Sequence, residues 1–420
     1  MKRITYLLLL FLFAHIPTFA QVDNDSIEED DIIQHADSAL LNMLVPDSIV
    51  RPWPESVQHQ LQQLMQSDML QTSQVGLMVY DLTADSALFA YNERQLMRPA
   101  STMKLLTAIT AIDYLGGDYL FKTELCYTGK IENRKLTGDI YCVGGFDPRF
   151  NTDDLHAFVE AIQKMGIDTI EGHLYADKSM KEAKDFGEGW CWDDKNPVLS
   201  PLLISGKDTF MSRFLNALMA ANIFVDAPID EKTKPNDAYC IVNRFHTMDQ
   251  ILMRMLKDSN NLYAESMYYQ LAAATGSRPA TAKHAREAER VLLRKVGLNP
   301  ANYRLADGSG LSLYNYLSAE AEVKLLRYAY QNENIFHHLY QALPIAGVDG
   351  TLKKRMRSTF ARNNVRAKTG TLTGISSLAG YCKAANGHWL SFAIINQGVM
   401  HARNAKNFQN RVCTILCAPN

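Results

Sequence analysis

Arg98-Pro99-Ala100-Ser101-Thr102-Met103-Lys104, running into Leu105-Leu106-Thr107-Ala108-Ile109-Thr110-Ala111-Ile112, is the stretch that decides the fold. The fixed φ of proline suits a helix start, and the apolar run predicts a buried helix through Leu115 that Gly116-Gly117 stops. Ser101 then falls in the first turn, and Lys104, three positions on, shares its helix face. The Lys104 amine can therefore reach the Ser101 hydroxyl. Burial and neighbouring positive charge lower the pKa of an amine, and a neutral amine can accept the hydroxyl proton. The helix N-terminus also favours negative charge on the attacking oxygen. In isolation the pair reads equally as an N-cap serine with a surface lysine. Leu105, Leu106, Ala108, Ile109 and Ile112 oppose that reading, because a lysine at the start of a buried helix needs a reason to be there.

Two further short motifs each occur once. Ser259-Asn260-Asn261 lies between the helical runs Met248–Leu256 and Asn260–Ala273. A turn there can present a hydroxyl to relay a proton and the Asn261 amide to hold a substrate amide. Its plain alternative is a helix N-cap. Lys368-Thr369-Gly370 lies in a strand-like region. Gly370 permits close backbone approach, while Lys368 and Thr369 offer a cation and a hydroxyl to a carboxylate. The N–H of Thr371 can pair with that of Ser101 as an oxyanion hole. An ordinary β-turn would not account for the strand-like residues on both sides.

Around these motifs, Val75–Tyr80 and Ala87–Tyr91 read as strands about an Asp85-Ser86 turn, after a helical pattern at Leu61, Leu64, Met65 and Met69. Val365–Lys368, Leu372–Cys382 and Trp389–Asn396 read as strands before a last helix over Ala405–Leu416. Between about 120 and 245 the pattern changes. Strand-like Thr123–Tyr127 and Lys135–Val143 alternate there with helical Asp154–Met165 and Phe210–Ala221. A charged helix follows at Ala280–Val296. The expected organisation is a catalytic domain in two parts, 51–119 and 246–420, split by an inserted domain at 120–245.

The 420 residues carry 43 Lys+Arg against 45 Asp+Glu, a formal charge of -2, which argues against a nucleic-acid partner. No GxGxxG or HExxH motif is present, and His337-His338, read as a solvated helix end, has no ligand at metal spacing. No cofactor or metal is expected. Lys2-Arg3, the apolar Leu7–Ala14 and Thr18-Phe19-Ala20 predict a signal peptide, 1–20, cleaved after Ala20. No later stretch is apolar and long enough to span a bilayer. Residues 21–50, acidic at first, predict a mobile lead-in. The mature protein is expected outside the cytoplasm, in the periplasm of a Gram-negative host. Seven cysteines leave at least one unpaired in a monomer, and none forms a CxxC. Cys126 and Cys142 are candidates to bridge adjacent strands, a pairing the sequence does not establish.

SxxK, SxN and KTG in this order are the set used by serine β-lactamases and penicillin-binding proteins. Each alone is weak; a serine three residues before a lysine is expected about once by chance in a chain of this size. Longer strings make the resemblance specific: Arg98–Ser101, Leu136–Asp139, Gly144–Pro148, Gly189–Asp194, Ser259–Glu265, Asp307–Ser312 and Ala367–Leu372. Over about residues 57–420 the chain resembles class C low-molecular-mass penicillin-binding proteins, the D-Ala-D-Ala carboxypeptidase/endopeptidases of peptidase family S13.

The resemblance implies an α+β fold, an antiparallel sheet flanked by helices and split by an inserted α+β domain. It implies Ser101 as acylated nucleophile, Lys104 as its base, and Ser259, Asn261 and Lys368 completing the proton and binding network. Peptidoglycan stem peptides are the implied substrate and β-lactams the implied covalent inhibitors. The Asp307–Gly310 turn is one the family places near the cleft; its plain reading is structural. From Lys104 to Ser259 is 259 − 104 = 155 residues, shorter than in long members, so their nested third domain is expected to be absent or reduced to a loop. Two readings compete. A serine β-lactamase shares the motifs, but no Glu-x-x-x-Asn segment follows Ser259 to supply a deacylating base. A non-catalytic wall-binding protein would not need all three motifs intact.

Overall fold

The strands Ile375–Lys383 and Trp389–Gln397 are buried along almost their whole length, so both faces of their sheet must be covered. In the computed structural model, which describes residues 51–191, 196–226 and 228–419, they are the second and third strands of a five-stranded sheet. Its order is Arg366–Leu372, Ile375–Lys383, Trp389–Gln397, Gln74–Asp81, Ser86–Tyr91, and every pairing is antiparallel. The hairpin near the N-terminus thus pairs with the meander near the C-terminus, with Leu77 opposite Ile394 and Val79 opposite Phe392.

Alternation along each strand sends side chains to two cores. Leu77, Val79, Leu378 and Phe392 pack with Val57 and Leu61 of the helix Glu55–Leu64 and with Phe408 and Val412 of the helix Ala402–Cys417. Ala379, Tyr381 and Ala393 face the other way, against the helix Ala319–Gln331, and share that core with the helix Met103–Leu115. Ten consecutive residues of that helix, Met103 to Ile112, are buried, as the apolar run predicts, and Gly116 ends it with φ +88.

Between the two sequence portions of this sheet stand two smaller sheets. One has the order Ile229–Glu231, Leu174–Asp177, Ile140–Gly144, Leu120–Tyr127, Tyr239–Thr247; the other is Lys130–Glu132, Lys135–Thr137, Thr169–Glu171, Phe224–Asp226. They share a core of Leu125, Leu136, Phe158, Ile170 and Phe214 with the helices Thr152–Lys164 and Phe210–Ala220.

Three expectations need correction. Lys135–Val143 is not one strand: Lys135–Thr137 and Ile140–Gly144 belong to different sheets. The chain breaks at Gly138, where a Cβ would lie 2.0 Å from the Thr128 carbonyl. Cys126 bridges Cys240, not Cys142. In the register Cys126 faces Tyr141 while Cys142 faces Leu125, so Cys126 and Cys142 point to opposite sides of their sheet. His337-His338 is not at a helix end but inside the helix Glu333–Ala342, where His338 Nδ1 lies 2.6 Å from Asp249 Oδ1. No described helix is long and apolar enough to cross a membrane. The expected signal peptide and lead-in, 1–50, and Trp192-Asp193-Asp194 lie outside the described residues.

Candidate active site

Ser101 sits in a 3-10 turn, Ala100–Thr102, that leads into the helix Met103–Leu115, rather than in the first α-helical turn itself. Lys104 is fully buried, and its Nζ lies 3.0 Å from Ser101 Oγ, 2.8 Å from Asn261 Oδ1 and 2.7 Å from the Ser309 carbonyl. The last two are acceptors only. A neutral amine can give them its two N–H bonds, which leaves its lone pair for the Ser101 hydroxyl. Burial lowers the pKa of Lys104 to about 7, against the opposing pull of Asp307 and Glu265. The free base is then accessible near neutral pH.

Ser259 reaches the site because its backbone adopts φ +56 between the helices Met248–Lys257 and Asn261–Ala274. Asn260, not Ser259, caps the second helix, its Oδ1 accepting from Tyr263 N–H. Asn261 accepts from Lys104 through Oδ1, so its amide N–H groups are left for a substrate. Lys368 is also fully buried, 2.7 Å from Ser259 Oγ and 2.7 Å from the Thr369 carbonyl. Burial, then the neighbouring Lys104 cation, holds its pKa well below the ordinary lysine range. Its amine thus faces the Ser259 hydroxyl, and Thr369 is the outer group, with Oγ1 2.7 Å from Thr351 Oγ1. Gly370 lies mid-strand, and a Cβ there would come within 2.8 Å of both Pro99 O and Ser101 N. Only a glycine lets this strand lie so close to the backbone of Ser101. Thr371 follows it, exposed.

Several contributors lie outside the three motifs, the Asp307–Gly310 turn noted from the sequence among them. Asp307, buried, accepts from Gly310 N–H, Ser312 N–H, the Asn315 amide and the Trp190 indole. Its turn puts the Ser309 carbonyl on Lys104, and Ser309 N–H in turn donates to Glu265 Oε1 at 2.8 Å. Burial first, and then the Asp307 charge, raises the Glu265 pKa to about 8. A Cβ on Gly310 would lie 1.8 Å from the Ala100 carbonyl, so the turn rests directly on the backbone before Ser101. A signal existed: Glu265 is the one charged residue in the helix Asn261–Ala274.

What meets at Ser101 comes from four separated stretches of chain, and their convergence beside a helix-flanked antiparallel sheet marks a serine hydrolase of the penicillin-binding class. The D-Ala-D-Ala carboxypeptidase 3 (S13) family matches residues 57–203 and 202–418, and the chain belongs to that family. It is similar to the D-alanyl-D-alanine carboxypeptidase DacB of Haemophilus influenzae, 26% identical over 76% of this chain and 84% of the relative. The D-alanyl-D-alanine carboxypeptidase of an Actinomadura species is 26% identical over 80% of each chain. Among solved structures, penicillin binding protein 4 of H. influenzae matches with a TM-score of 0.78 at 24% identity, covering 84% of this chain and 98% of its own. The same protein complexed with a β-lactam matches with a TM-score of 0.72 at 25% identity, covering 84% and 97%. The chain is a serine-type D-Ala-D-Ala carboxypeptidase.

Proposed function

We propose that the protein cleaves the D-alanyl-D-alanine end of peptidoglycan stem peptides, and D-Ala cross-links between them, through an acyl-enzyme on Ser101. Neutral Lys104 takes the Ser101 proton as Oγ attacks the carbonyl of the penultimate D-alanine. The N–H groups of Ser101 and Thr371 receive the oxyanion, with Gly370 letting the strand approach. Ser259, backed by Lys368, passes a proton to the departing amine, and Asn261 holds the peptide amide. Water then hydrolyses the ester. Thr369 receives the carboxylate that follows the scissile bond, of a terminal D-Ala or of a D-centre in a cross-link. One pocket then serves both reactions. β-Lactams acylate the same serine.

The observation that carries this reading is the Lys104 amine, fixed by two pure acceptors with its remaining valence on Ser101 Oγ. The pairing of strands from both chain ends in one sheet supports a catalytic unit formed by 51–119 and 246–420 around an insert, 120–245. Export to the cell-wall compartment agrees with the leader-like start and with this substrate. The test is mass spectrometry of products from purified monomeric and cross-linked muropeptides, with labelling by a fluorescent penicillin. Ser101→Ala should release neither product and take no label while remaining folded. A labelled Ser101→Ala protein would sink the nucleophile assignment, and steady turnover of the penicillin would make the protein a β-lactamase.

A further inference from the structure

The residue before the nucleophile, Ala100, has φ +49, a left-handed conformation that strains a non-glycine residue and persists only when the surroundings over-determine it. Its peptide with Ser101 carries one of the two oxyanion N–H groups, so this strained torsion sets where that donor points. Gly310 and Gly370 press on the turn from two sides. On the third side a buried polar cluster holds the Pro99 carbonyl. Ser377 Oγ lies 2.5 Å from it and Thr102 Oγ1 2.7 Å; Thr102 Oγ1 is also 2.5 Å from Glu322 Oε1 and, more loosely, 3.3 Å from Ser377 Oγ.

The hydrogens of this cluster can be counted. Ser377 and Thr102 each own one hydroxyl proton, and Pro99 O owns none. Ser377 spends its proton on Pro99 O. If Thr102 does the same, the short Thr102–Glu322 contact lacks a hydrogen unless Glu322 supplies it. If Thr102 instead donates to an ionised Glu322, the 2.7 Å contact with Pro99 O is left as two bare oxygens. A protonated Glu322 gives every short contact a hydrogen. It also explains why Glu322 Oε2 is buried with no partner, a cost far smaller for a neutral carboxyl than for a carboxylate.

We propose that Glu322 is a positioning residue, which donates a hydrogen bond as a neutral acid to Thr102 and so fixes the turn that aims the Ser101 oxyanion N–H. The proposal rests on Ser101 being the nucleophile. Burial raises the Glu322 pKa to about 8, and the Thr102 hydrogen bond opposes this weakly. The charged groups on the elements packed against its helix are Asp81, Lys104, Asp113, Glu333 and Lys383, and none of them is among the influences on its carboxyl, which are burial and Thr102. On its own helix, Ala319–Gln331, Glu320 pairs with Arg94 and Lys324, and Arg327 pairs with Asp85.

Acylation by a fluorescent penicillin, followed by stopped flow on the full chain across a pH series, tests this. Lys104 alone would give a rate that rises with pH and then levels. The wild type should instead fall again as pH passes through about 8, as Glu322 ionises. Glu322→Gln, whose amide can donate to Thr102, should acylate at a near-wild-type rate at neutral pH and lose the alkaline fall. Glu322→Leu and Thr102→Val should acylate at least about tenfold more slowly with unchanged reversible penicillin binding, up to the ~10²–10³ expected for losing an oxyanion donor outright. Wild-type rates in Thr102→Val, or an alkaline fall persisting in Glu322→Gln, would overturn the proposal. Should Glu322→Leu fail to fold, those two arms still decide. Ser101→Ala is run alongside; an adduct there would overturn the nucleophile reading instead, whatever the Glu322 variants do.

Discussion

Lys104 and Thr369 illustrate how single side chains divide the work. On this reading acylation uses the free amine of Lys104, so its rate should fall as pH drops through about 7 and be fullest between about 7 and about 8, where ionisation of Glu322 begins to lower it again. Lys104→Arg keeps a cation of similar reach but stays protonated, and it should lose about 10²–10⁴-fold in acylation, the usual worth of a general base. Wild-type kinetics in that variant, read by penicillin labelling, would leave Lys104 a purely electrostatic role. Thr369 sits at the outer side of the same strand that buries Lys368. Thr369→Val should leave a bound carboxylate less well satisfied, at a cost of roughly 1.5–3 kcal/mol. Product assays on monomeric and cross-linked muropeptides should slow by similar factors. A loss confined to the carboxypeptidase reaction would mean that cross-links are held elsewhere.

At the scale of elements, the site depends on backbones packed closer than side chains allow. The Asp307–Gly310 turn, read from sequence as structural with only a minor chance of touching substrate, proves to support the site from behind: its Ser309 carbonyl holds Lys104. Gly310 has φ +79 and abuts the Ala100 carbonyl. Gly310→Ala should therefore be doubly costly, displacing the turn from Ala100 and with it the acceptor on Lys104. The expected result is a folded protein, by circular dichroism, whose acylation rate is reduced at least tenfold. Acylation at the wild-type rate would show that the turn does not position the amine. The helix Ala319–Gln331, which carries Glu322 to the back of the Ser101 turn, passes unnoticed in the sequence pattern, whereas the helix Glu333–Ala342 is anticipated only through His337-His338 at its supposed end. Their amphipathic spacing is interrupted by charged and aromatic residues that find partners only across the fold.

Across the whole molecule, the burial that tunes the site also sets how stability depends on pH. Glu265, Glu289 and Glu322 are fully buried, and burial raises the pKa of each. An acid whose folded pKa exceeds its unfolded value favours the folded state while protonated in both. Its contribution declines as pH rises above about 4.5, where the unfolded form begins to ionise, until the folded pKa is passed. Lys104 acts in the opposite sense: its lowered pKa costs stability as pH falls from about 10.5 to about 7. Glu289→Gln should thus raise the thermal midpoint near neutral pH and lose this advantage near pH 4, while Thr107 keeps an oxygen or amide to bond. An equal effect at both pH values would mean that Glu289 is ionised in the folded protein.

The order Ser101-x-x-Lys104, Ser259-x-Asn261, Lys368-Thr369-Gly370, with strands near both ends and a buried helix after Ser101, was legible from the chain alone. Those features are local: a helix face fixes Ser101 beside Lys104, and glycine and apolar runs mark turns and buried strands. The partner of Cys126 was not, because strand register decides which side of a sheet a cysteine faces. Nor could sequence say that Lys368 would address Ser259, that the Ser309 carbonyl would hold Lys104, or that Glu322 would back Thr102. Each of these contacts joins residues more than a hundred positions apart. Spacing along the chain carries no information about such pairs; only the packing of helices against both faces of the sheet brings them within hydrogen-bonding distance.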